Sequence, residues 1–586
     1  KSWFKQKVTF LSTDSYQLWI AQNEPKKREL DGYRQESLSF QYRPKISIIT
    51  PVWNTDEKWL RLAIASVLNQ VYDNWELCIA DGNSTELHIE EILKEYASKD
   101  TRIKVKFLTE NKGIAGNSNE ALSISNGDFI ALLDHDDKLA AFALYEVVKV
   151  LNRNPDVDFI YSDEDKITIN EKRTAPFFKP DWSPDMFLSC MYTCHLGVYR
   201  KKIIREIGGF RSGYDGSQDY DLVLRFIEKT NSVYHIPKVL YHWRTVLGSA
   251  ASGQDAKPYA YVAGKQAISD YLARNNIEGD VSDGAWSGWY RVKRKIVEKP
   301  MVSILIPSRD NVKLLRRCVE SILTKTEYDD YEILIADNQS VEAETLNYHN
   351  EIRKHTKVRI LEFNKPFNFS AINNYAVFQA YGEHILFLNN DTEVIAEEWL
   401  SSMLEHSQRR EVGAVGVKLL YPNRTIQHCG VILGLGIDRV AGHIYQRYPN
   451  HFGYSGRISI INNYSAVTAA CMMLKKEVFE EVGGFDEDLG TSYCDVDLCI
   501  KIRSRGYLIV YTPYAQLYHH ESYSRGYDDT PERHKRFQEE CSYMRAKWGY
   551  LIDSGDPYYN PNLTLDKGDF SICLTGCKNG SAHESR

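Results

Sequence analysis

The chain repeats one order of apolar and polar segments. Residues 45–51 and 301–307 are short runs rich in β-branched side chains that end at a proline, a pattern typical of buried parallel strands. Apolar residues at helical spacing follow both runs, and the next predicted strands, 76–81 and 332–337, each end in an aspartate. The sequence therefore predicts that one α/β unit occurs twice.

Matching landmarks keep their order in the two copies. Four residues recur: Asp81 as Asp337, Asp136 as Asp391, Asp219 as Asp495, and His242 as His519. The first two pairs are separated by 256 and 255 residues and the last two by 276 and 277. We therefore predict an insertion of about 20 residues in the second copy, at the glycine-bearing stretch 430–456.

The alternation of strands and helices predicts the fold class and the domain boundaries. It indicates an α/β protein with two tandem Rossmann-like domains, each built on a mostly parallel central sheet. The predicted segments are an N-terminal extension at 1–43, a first domain at 44–256, a helical linker region at 257–298, a second domain at 299–530, and a C-terminal helix and tail at 531–586.

Composition narrows the class of protein. The chain is 43% hydrophobic and 26% charged, as in ordinary globular proteins and unlike disordered or collagen-like ones. A net charge of −7 gives no global positive field that would indicate nucleic acid. No apolar run approaches the roughly 18 residues of a membrane span, and the polar start lacks a signal-peptide core. We expect a cytoplasmic protein without a nucleic-acid partner, and peripheral association with the inner face of the cell membrane is left open.

Cysteine usage agrees with this compartment. The 11 cysteines are scattered, and most lie within apolar runs. Buried free thiols are therefore expected. A disulfide or metal site at Cys573 and Cys577 is the less favoured alternative.

The recurring aspartates stand beyond the carboxyl ends of strands, where ligands bind in α/β sheets. A single aspartate there is more often a helix cap or a turn residue, but the recurrence of four landmarks favours a functional site. The stretches 51–54 and 307–310 lack the glycine-rich loops that hold phosphates, so a dinucleotide fold and a P-loop are disfavoured. Asp134 and Asp136 can instead place oxygen ligands on a divalent cation that bridges a diphosphate.

Short polar motifs follow the predicted strands in both copies. They lie at 51–54, 81–84, 111–113, 134–137, 208–210 and 218–219 in the first copy, and at 337–340, 389–391, 483–486, 494–495 and 519–522 in the second. With these motifs the chain resembles glycosyltransferase family 2, the inverting nucleotide-sugar transferases of the A-type fold, twice across about residues 44–530. The segment 179–185 is similar to bacterial members that build surface polysaccharides.

The resemblance implies roles for these positions. The nucleotide-binding residues would be Asp81, Asp337, Pro51, Pro307, Asp134 and Asn389; the ligands of Mn²⁺ or Mg²⁺ at the diphosphate would be Asp136, Asp391, His242 and His519; the catalytic bases would be Asp219 and Asp495. A carboxylate near the acceptor hydroxyl can take its proton while the cation stabilises the leaving diphosphate. One displacement then inverts the anomeric centre.

Some positions depart from the family's pattern. The family commonly has Glu immediately before the base, where this chain has Gln218 and Cys494, so neither copy has that second carboxylate. Asn389 stands where the first copy has an acid, which lowers the negative charge of the second metal site. Asp221 and Asp497 are better explained as helix-face or capping carboxylates.

We therefore expect a dual-domain, metal-dependent, inverting hexosyl- or deoxyhexosyl-transferase. It would move sugars from nucleotide-diphosphate sugar donors to a glycan or lipid-linked glycan acceptor, within an O-antigen, capsule or rhamnose-rich surface polysaccharide. Two alternatives stay open: one catalytic domain with a degenerate sugar-binding domain, favoured by Asn389, and a non-catalytic glycan-binding scaffold.

Overall fold

The computed structural model describes residues 13–246, 258–520 and 530–574, which form two compact units. The first contains the described residues up to Trp182 and those from Cys190 to Tyr290. The second contains Ser183–Ser189 and the described residues from Arg291 to Ser571. Both units are α/β, so the predicted fold class is confirmed.

The elements up to residue 294 are α1 (Thr13–Asn23), α2 (Lys27–Leu38), β1 (Ile46–Val52), α3 (Glu57–Leu68), β2 (Trp75–Asp81), α4 (Leu87–Lys99), β3 (Ile103–Phe107), α5 (Gly113–Ser123), β4 (Phe129–Leu132), β5 (Lys138–Leu139), α6 (Ala143–Arg153), β6 (Phe159–Ile167), β7 (Arg173–Phe177), α7 (Pro184–Ser189), β8 (Gly197–Arg200), α8 (Lys201–Glu206), α9 (Gln218–Phe226), β9 (Val233–Arg244), α10 (Pro258–Arg274), β10 (Gly279–Asp283) and β11 (Tyr290–Arg294).

The later elements are β12 (Val302–Ser308), α11 (Val312–Lys325), β13 (Tyr331–Asp337), α12 (Ala343–Ile352), β14 (Val358–Glu362), α13 (Phe369–Gln379), β15 (His384–Leu388), β16 (Thr392–Val394), α14 (Trp399–Ser407), β17 (Val412–Leu420), β18 (Ile426–His428), β19 (Val431–Leu433), β20 (Ala441–His443), a 3-10 turn (Tyr454–Gly456), β21 (Asn462–Asn463), β22 (Cys471–Lys475), α15 (Lys476–Glu481), α16 (Cys494–Ser504), β23 (Leu508–His519) and α17 (Pro531–Asp553).

The sheet of the first unit has the strand order β3-β2-β1-β4-β8-β6-β9-β5, with β7 beside β6. Strand β1 pairs in parallel with β2 and β4, and both β1 and β2 are buried along almost their whole length. Such burial is expected of apolar parallel strands that are covered on both faces. The carboxyl ends of β1 and β2 meet at one edge, where Val52 pairs with Asp81.

The second unit repeats this arrangement. Its main sheet has the order β14-β13-β12-β15-β22-β17-β23-β16, with β18 beside β17 and β21 beside β23. Strand β12 pairs in parallel with β13 and β15, in the register of the first sheet. The insertion near residues 430–456 includes a separate two-stranded sheet, β19-β20.

The helix α1 of the first unit packs beside its sheet. The Tyr16 hydroxyl donates to Asp165 Oδ2 at 2.5 Å, and the Trp19 ring meets Phe178 edge-on, with 5.1 Å between centroids. These contacts fix the N-terminal extension against β6 and the segment after β7.

No helix among the described residues is long and apolar enough to cross a membrane. Nine of the described cysteines are free thiols, and seven of those nine are buried, as expected from the sequence. Cys573 is disulfide-bonded, as in the less favoured alternative for Cys573 and Cys577, and Cys577 lies outside the described residues.

Candidate functional site

The loop after β4 carries the polar residues 134–137 of the first copy. It lies beside the end of β1, because β1 and β4 are parallel neighbours. The His135 Nδ1 atom is 3.1 Å from the main-chain oxygen of Pro51. Pro51 is the next-to-last residue of β1, as Pro307 is of β12, so both prolines stand at the sheet edge where the sequence placed the nucleotide.

Three side chains of the first copy lie close enough to share one cation. Asp134, Asp137 and His195 each offer a ligand atom, and these atoms all lie within 4.8 Å of one another. Two carboxylates and an imidazole suit a divalent cation such as Mn²⁺. We call these three residues the Asp-Asp-His cluster. It fits the kind of metal expected from the sequence, but not all of the expected ligands.

Asp137 is the most buried member of the cluster, with 1% of its surface exposed. It accepts hydrogen bonds from the Tyr241 hydroxyl and the Arg244 main-chain N–H, both at 2.6 Å. Burial raises the pKa of Asp137 well above its ordinary value, and the charges of Asp136 and Asp134 raise it further. A bound cation would offset this repulsion and favour the ionised form.

A buried lysine positions His195. Lys179 donates from Nζ to the main-chain oxygens of Thr193 at 2.6 Å and His195 at 2.5 Å, and pairs with Glu164 at 3.0 Å. Glu164 also accepts the His195 N–H at 2.8 Å, and the His195 ring stacks on Tyr241. No spacing pattern pointed to His195, because the fold brings it to the cluster from the segment before β8.

Asp136, the predicted metal ligand, is half-buried and lies outside the cluster. Its main-chain oxygen accepts a hydrogen bond from Arg244 Nε at 2.7 Å. Burial raises the pKa of the Asp136 carboxyl, His135 opposes this effect, and Asp134 adds to it. Of the two adjacent acids, Asp137 is the one that joins the cluster, although the sequence pattern had assigned no role to it within the same motif.

The predicted base of the first copy lies near the cluster. Asp219 is half-buried in the first turn of α9, and its Oδ1 accepts the Tyr220 N–H at 2.8 Å. Burial raises the pKa of Asp219, His195 lowers it, and Asp134 raises it, so both residues lie within electrostatic reach of this carboxylate. A raised pKa makes a carboxylate a better proton acceptor when it is ionised.

His242 lies on the opposite face of β9 from Tyr241. Its Nδ1 is 2.7 Å from Asp165 Oδ1, and Asp165 Oδ2 accepts from Arg173 Nε at 2.5 Å. Successive side chains of a strand alternate between faces, and Tyr241 is the one that bonds Asp137. The structure does not bring His242 into the Asp-Asp-His cluster, so its position does not support the predicted role at the metal.

Strand register explains why the two histidines differ. In the first copy Lys138 pairs with His242, and the corresponding pair in the second copy is Glu393 with Tyr518. His242 therefore matches Tyr518 at an offset of 276 residues, which is also the offset between the two predicted bases. The predicted equivalence of His242 and His519 is wrong by one residue, and a slip of one residue moves a side chain to the other face of a sheet.

His519 takes the place that Trp243 holds in the first copy. Trp243 contacts the His195 ring edge-on, with 5.8 Å between centroids. The pairings of β4 with β8 and of β15 with β22 place Ala470 where the first copy has His195. His195 in the first copy and His519 in the second therefore come from different strand ends.

The second copy brings Asn389, Asp391 and His519 together. The His519 Nε2 atom lies 3.2 Å from Asp391 Oδ1 and 3.4 Å from Asn389 Nδ2. Asp391 and His519 are buried, and His519 Nδ1 has no hydrogen-bond partner in the described part of the chain. One carboxylate and one imidazole can still hold a divalent cation, with less negative charge than in the first copy.

Asp495 is connected to this group through the main chain. Its carboxylate accepts the N–H of Ala469 at 3.1 Å and that of Val496 at 2.9 Å. The next residue, Ala470, accepts the Asn389 N–H at 3.1 Å through its main-chain oxygen. The loop before β22 therefore joins the predicted base to the loop that carries Asn389.

Asp81 and Asp337, which are predicted to bind the nucleotide base, are the last residues of β2 and β13. Asp81 accepts the Ser84 N–H at 3.3 Å, and Asp337 accepts the Ser340 hydroxyl. Both serines also accept a main-chain N–H from the loop after the neighbouring strand, at 3.0 Å and 2.9 Å. The same cross-link between the first two loops thus occurs in both copies.

Asp221 and Asp497 are fully buried and hold helices in place. Asp221 accepts from Arg225 Nε at 2.9 Å. Asp497 accepts from Trp548 Nε1 at 2.7 Å and pairs with Lys547 at 2.7 Å. These partners agree with the interpretation of both carboxylates as structural.

The second copy has two more histidines near its site. His428 Nδ1, at the end of β18, lies 3.1 Å from His443 Nδ1 of the inserted hairpin. Burial lowers the pKa of His428 well below its usual value, and His443 and His519 lower it further. The inserted hairpin therefore places one imidazole, that of His443, beside His428.

One family model matches both copies of the chain, and several known proteins are similar to it. The model of the family "Glycosyl transferase family 2" matches residues 47–208 and 303–483. An uncharacterised protein, y4gI, of Sinorhizobium fredii is 47% identical over 90% of this chain and 58% of its own length. The O-antigen biosynthesis protein RfbC of Myxococcus xanthus is 39% identical over 96% of this chain and 43% of its own length. The chain thus spans about half the length of these relatives.

Residues 1–349 of Staphylococcus aureus TarS align with 39% of this chain and 65% of their own, at 18% identity and a TM-score of 0.32.

Proposed function

Because the chain belongs to glycosyltransferase family 2, we propose that both of its copies are catalytic and transfer sugars from nucleotide-diphosphate sugar donors to a bacterial surface glycan. The name of the Myxococcus xanthus relative, an O-antigen biosynthesis protein, supports a surface glycan as the product. The acceptor would be the glycan itself or its lipid-linked precursor.

The main support is the position of Asp219 near the Asp-Asp-His cluster. The acceptor hydroxyl must lose a proton as it attacks the anomeric carbon, and Asp219 would accept that proton. Its hydrogen bond with the Tyr220 N–H fixes the orientation of the carboxylate. In the second copy, Asp495 would play the same part, held by Ala469 and Val496. One base for each copy agrees with a single displacement that inverts the anomeric centre.

Metal binding is part of the proposal. The residues Asp134, Asp137 and His195 would hold Mn²⁺ or Mg²⁺ in the first copy, and Asp391 with His519 would do so in the second. A divalent cation bound there would neutralise charge on the leaving diphosphate. Asp81 and Asp337 would bind the nucleotide base at the neighbouring strand ends.

A second candidate keeps only the first copy active, with the second binding sugar or acceptor. Asn389 favours it, because an amide carries no charge where the first copy has Asp134. The presence of Asp391, His519 and Asp495 favours activity, since transfer would need these residue types.

The test compares Asp219→Asn with Asp495→Asn in the whole chain, using a panel of nucleotide sugars and analysis of each linkage formed. Loss of a general base typically slows a reaction about 10²–10⁴-fold, so each variant should lose one linkage and keep the other. The exposed acids Asp215 and Asp488 lie in the loops before the same helices, and their Asn variants are matched controls. If Asp495→Asn left every linkage at the wild-type rate, the second copy would be a binding domain.

A further inference from the structure

The first unit contains a cavity of about 470 Å³ that is separate from the Asp-Asp-His cluster. Its walls come from α2 and the turn before it, α3, the segment 138–142, the ends of β6 and β7, and His242 of β9. Pockets for small ligands commonly measure about 300–1,000 Å³. His242 faces this cavity, whereas its neighbour Tyr241 faces the cluster, so the sheet separates the two sites.

His242 presents a free hydrogen-bonding atom to the cavity. The residue is 7% exposed, and its Nδ1 is bonded to Asp165. Its Nε2 makes no hydrogen bond with any described residue. Because the Asp165 carboxylate can accept a hydrogen bond only from Nδ1–H, Nε2 is the ring nitrogen that stays open to a ligand. This nitrogen is accessible from the cavity and can share a hydrogen bond with a hydroxyl group of a ligand.

The charges on the cavity wall balance. Glu24 and Glu171 are acidic, and Lys138 and Arg173 are basic. They are already paired, Lys138 with Glu171 at 2.7 Å and Arg173 with Glu24. A wall without net charge favours neither a diphosphate nor a cation. It favours an uncharged polar ligand.

The rest of the wall is apolar, with Leu30, Leu62, Leu139, Phe142 and Ile167. An apolar surface with a few placed polar atoms suits a sugar ring, which has C–H faces and hydroxyl edges. The wall formed by Glu24, Pro25 and Leu30 belongs to the N-terminal extension, which precedes the family match at residue 47.

We propose that this cavity binds one sugar residue of the acceptor glycan, with His242 Nε2 sharing a hydrogen bond with a sugar hydroxyl. The identity of the sugar as part of an acceptor rests on the proposed function. Binding in the cavity would hold the acceptor chain to the first unit at a place distinct from the donor site.

The experiment measures binding without turnover, by saturation-transfer NMR on the whole chain. The probes are free glucose, galactose, mannose, rhamnose and N-acetylglucosamine, with UDP and GDP as separate probes. Ala65→Phe fills the cavity from α3, and His242→Phe removes the open ring nitrogen. Ala97→Phe on α4 is the matched control, because this half-buried alanine does not line the cavity.

At least one sugar should receive saturation from the wild type and from Ala97→Phe, and this signal should fall at least fivefold in Ala65→Phe and in His242→Phe. Nucleotide signals should persist in all four proteins. Absence of sugar binding to the wild type, or equal sugar signals in the control and Ala65→Phe, would overturn the proposal. Failure of the proposed function would appear separately, as unchanged linkages in Asp219→Asn.

Discussion

Single side chains set the difference between the two copies. Asp134 of the first copy corresponds to Asn389, and Asp137 corresponds to Thr392. Among the described residues, the first site can therefore offer two carboxylates to a cation, and the second can offer Asp391 alone. Since the number of charged ligands tunes the affinity of a site for a hard cation, the copies should bind it unequally.

Substitutions at Asp134 and Asn389 test whether the two copies bind a cation unequally. Asp134→Asn should weaken the tighter Mn²⁺ site about tenfold, because one anionic ligand is lost, and Asn389→Asp should tighten the weaker site. Calorimetric titration of Mn²⁺ into the metal-stripped chain gives both affinities. Two equal wild-type sites that neither change affects would contradict the assignment.

For single residues, the sequence predicted which loop carries the metal site but not which of its side chains are the ligands. The D-x-D spacing identified the loop, but it does not tell which of two adjacent acids turns inward, and Asp137 does so because Tyr241 and Arg244 bond it. His195 was missed because Lys179 and Glu164 position it through tertiary contacts.

Among the elements, the helix α17 supports the second predicted base. Glu540 on this helix is 4% exposed and accepts the N–H groups of Thr491 and Ser492, both at 2.9 Å. These residues form the loop that leads into α16, whose first turn carries Asp495. The contact fixes where that helix begins.

Glu540→Gln should therefore slow the transfer of the second copy about tenfold, because small misplacements of a catalytic group are costly. An amide can accept one of the two hydrogen bonds but carries no charge. The rate of each linkage, measured at saturating donor, gives the effect, and Glu539→Gln on the exposed side of the same helix is the control. Equal slowing of both linkages would indicate a general loss of stability instead.

Strand β15 begins with His384, which should make the free energy of unfolding depend on pH. His384 is 4% exposed, and its Nδ1 lies 2.8 Å from the Ser407 hydroxyl. Burial lowers the pKa of His384 from 6.5 to about 4, and Lys475 acts in the same direction. Stability that depends on the neutral ring is thus present above pH 6.5 and is lost as the pH falls through about 4.

His384→Phe should remove this acid sensitivity, since Phe129 occupies the same register in the first copy. The free energy of unfolding of the wild type should fall by roughly 3 kcal/mol more than that of the variant between these two pH values. Urea denaturation at several pH values measures the difference, with the exposed His355→Gln as control. Parallel pH profiles would show that His384 does not titrate in this range.

The first strands of each copy were predicted well because buried parallel strands are continuous apolar runs, and their register repeats as the sequence indicates. The strands β9 and β23 were misaligned by one residue, because both contain the triplet Leu-Tyr-His, at 240–242 and at 517–519. Only the pairing of β5 with β9 and of β16 with β23 shows which residues correspond.

At the scale of the whole molecule, the two main sheets share one strand order, and each copy has a single predicted base. If both copies work by single displacement, every linkage should have the opposite anomeric configuration to its donor. NMR of the purified product decides this, with the Asp219→Asn and Asp495→Asn products used to assign each linkage. Retention at either linkage would contradict the single-displacement mechanism.

The shift of one residue between β9 and β23 also matters to anyone who recombines these domains. Consider a chimera in which residues 240–242 of β9 are replaced by residues 517–519 of β23, as the sequence match suggests. Its strand would be one residue too long or too short before the junction. Every side chain of the grafted strand end would then point to the opposite face of the sheet. In the first unit, an aromatic ring or a histidine would be exchanged between the face of the Asp-Asp-His cluster and the face of the cavity. A junction set at Lys138 and Glu393, with their paired partners on β9 and β23, would keep both faces intact.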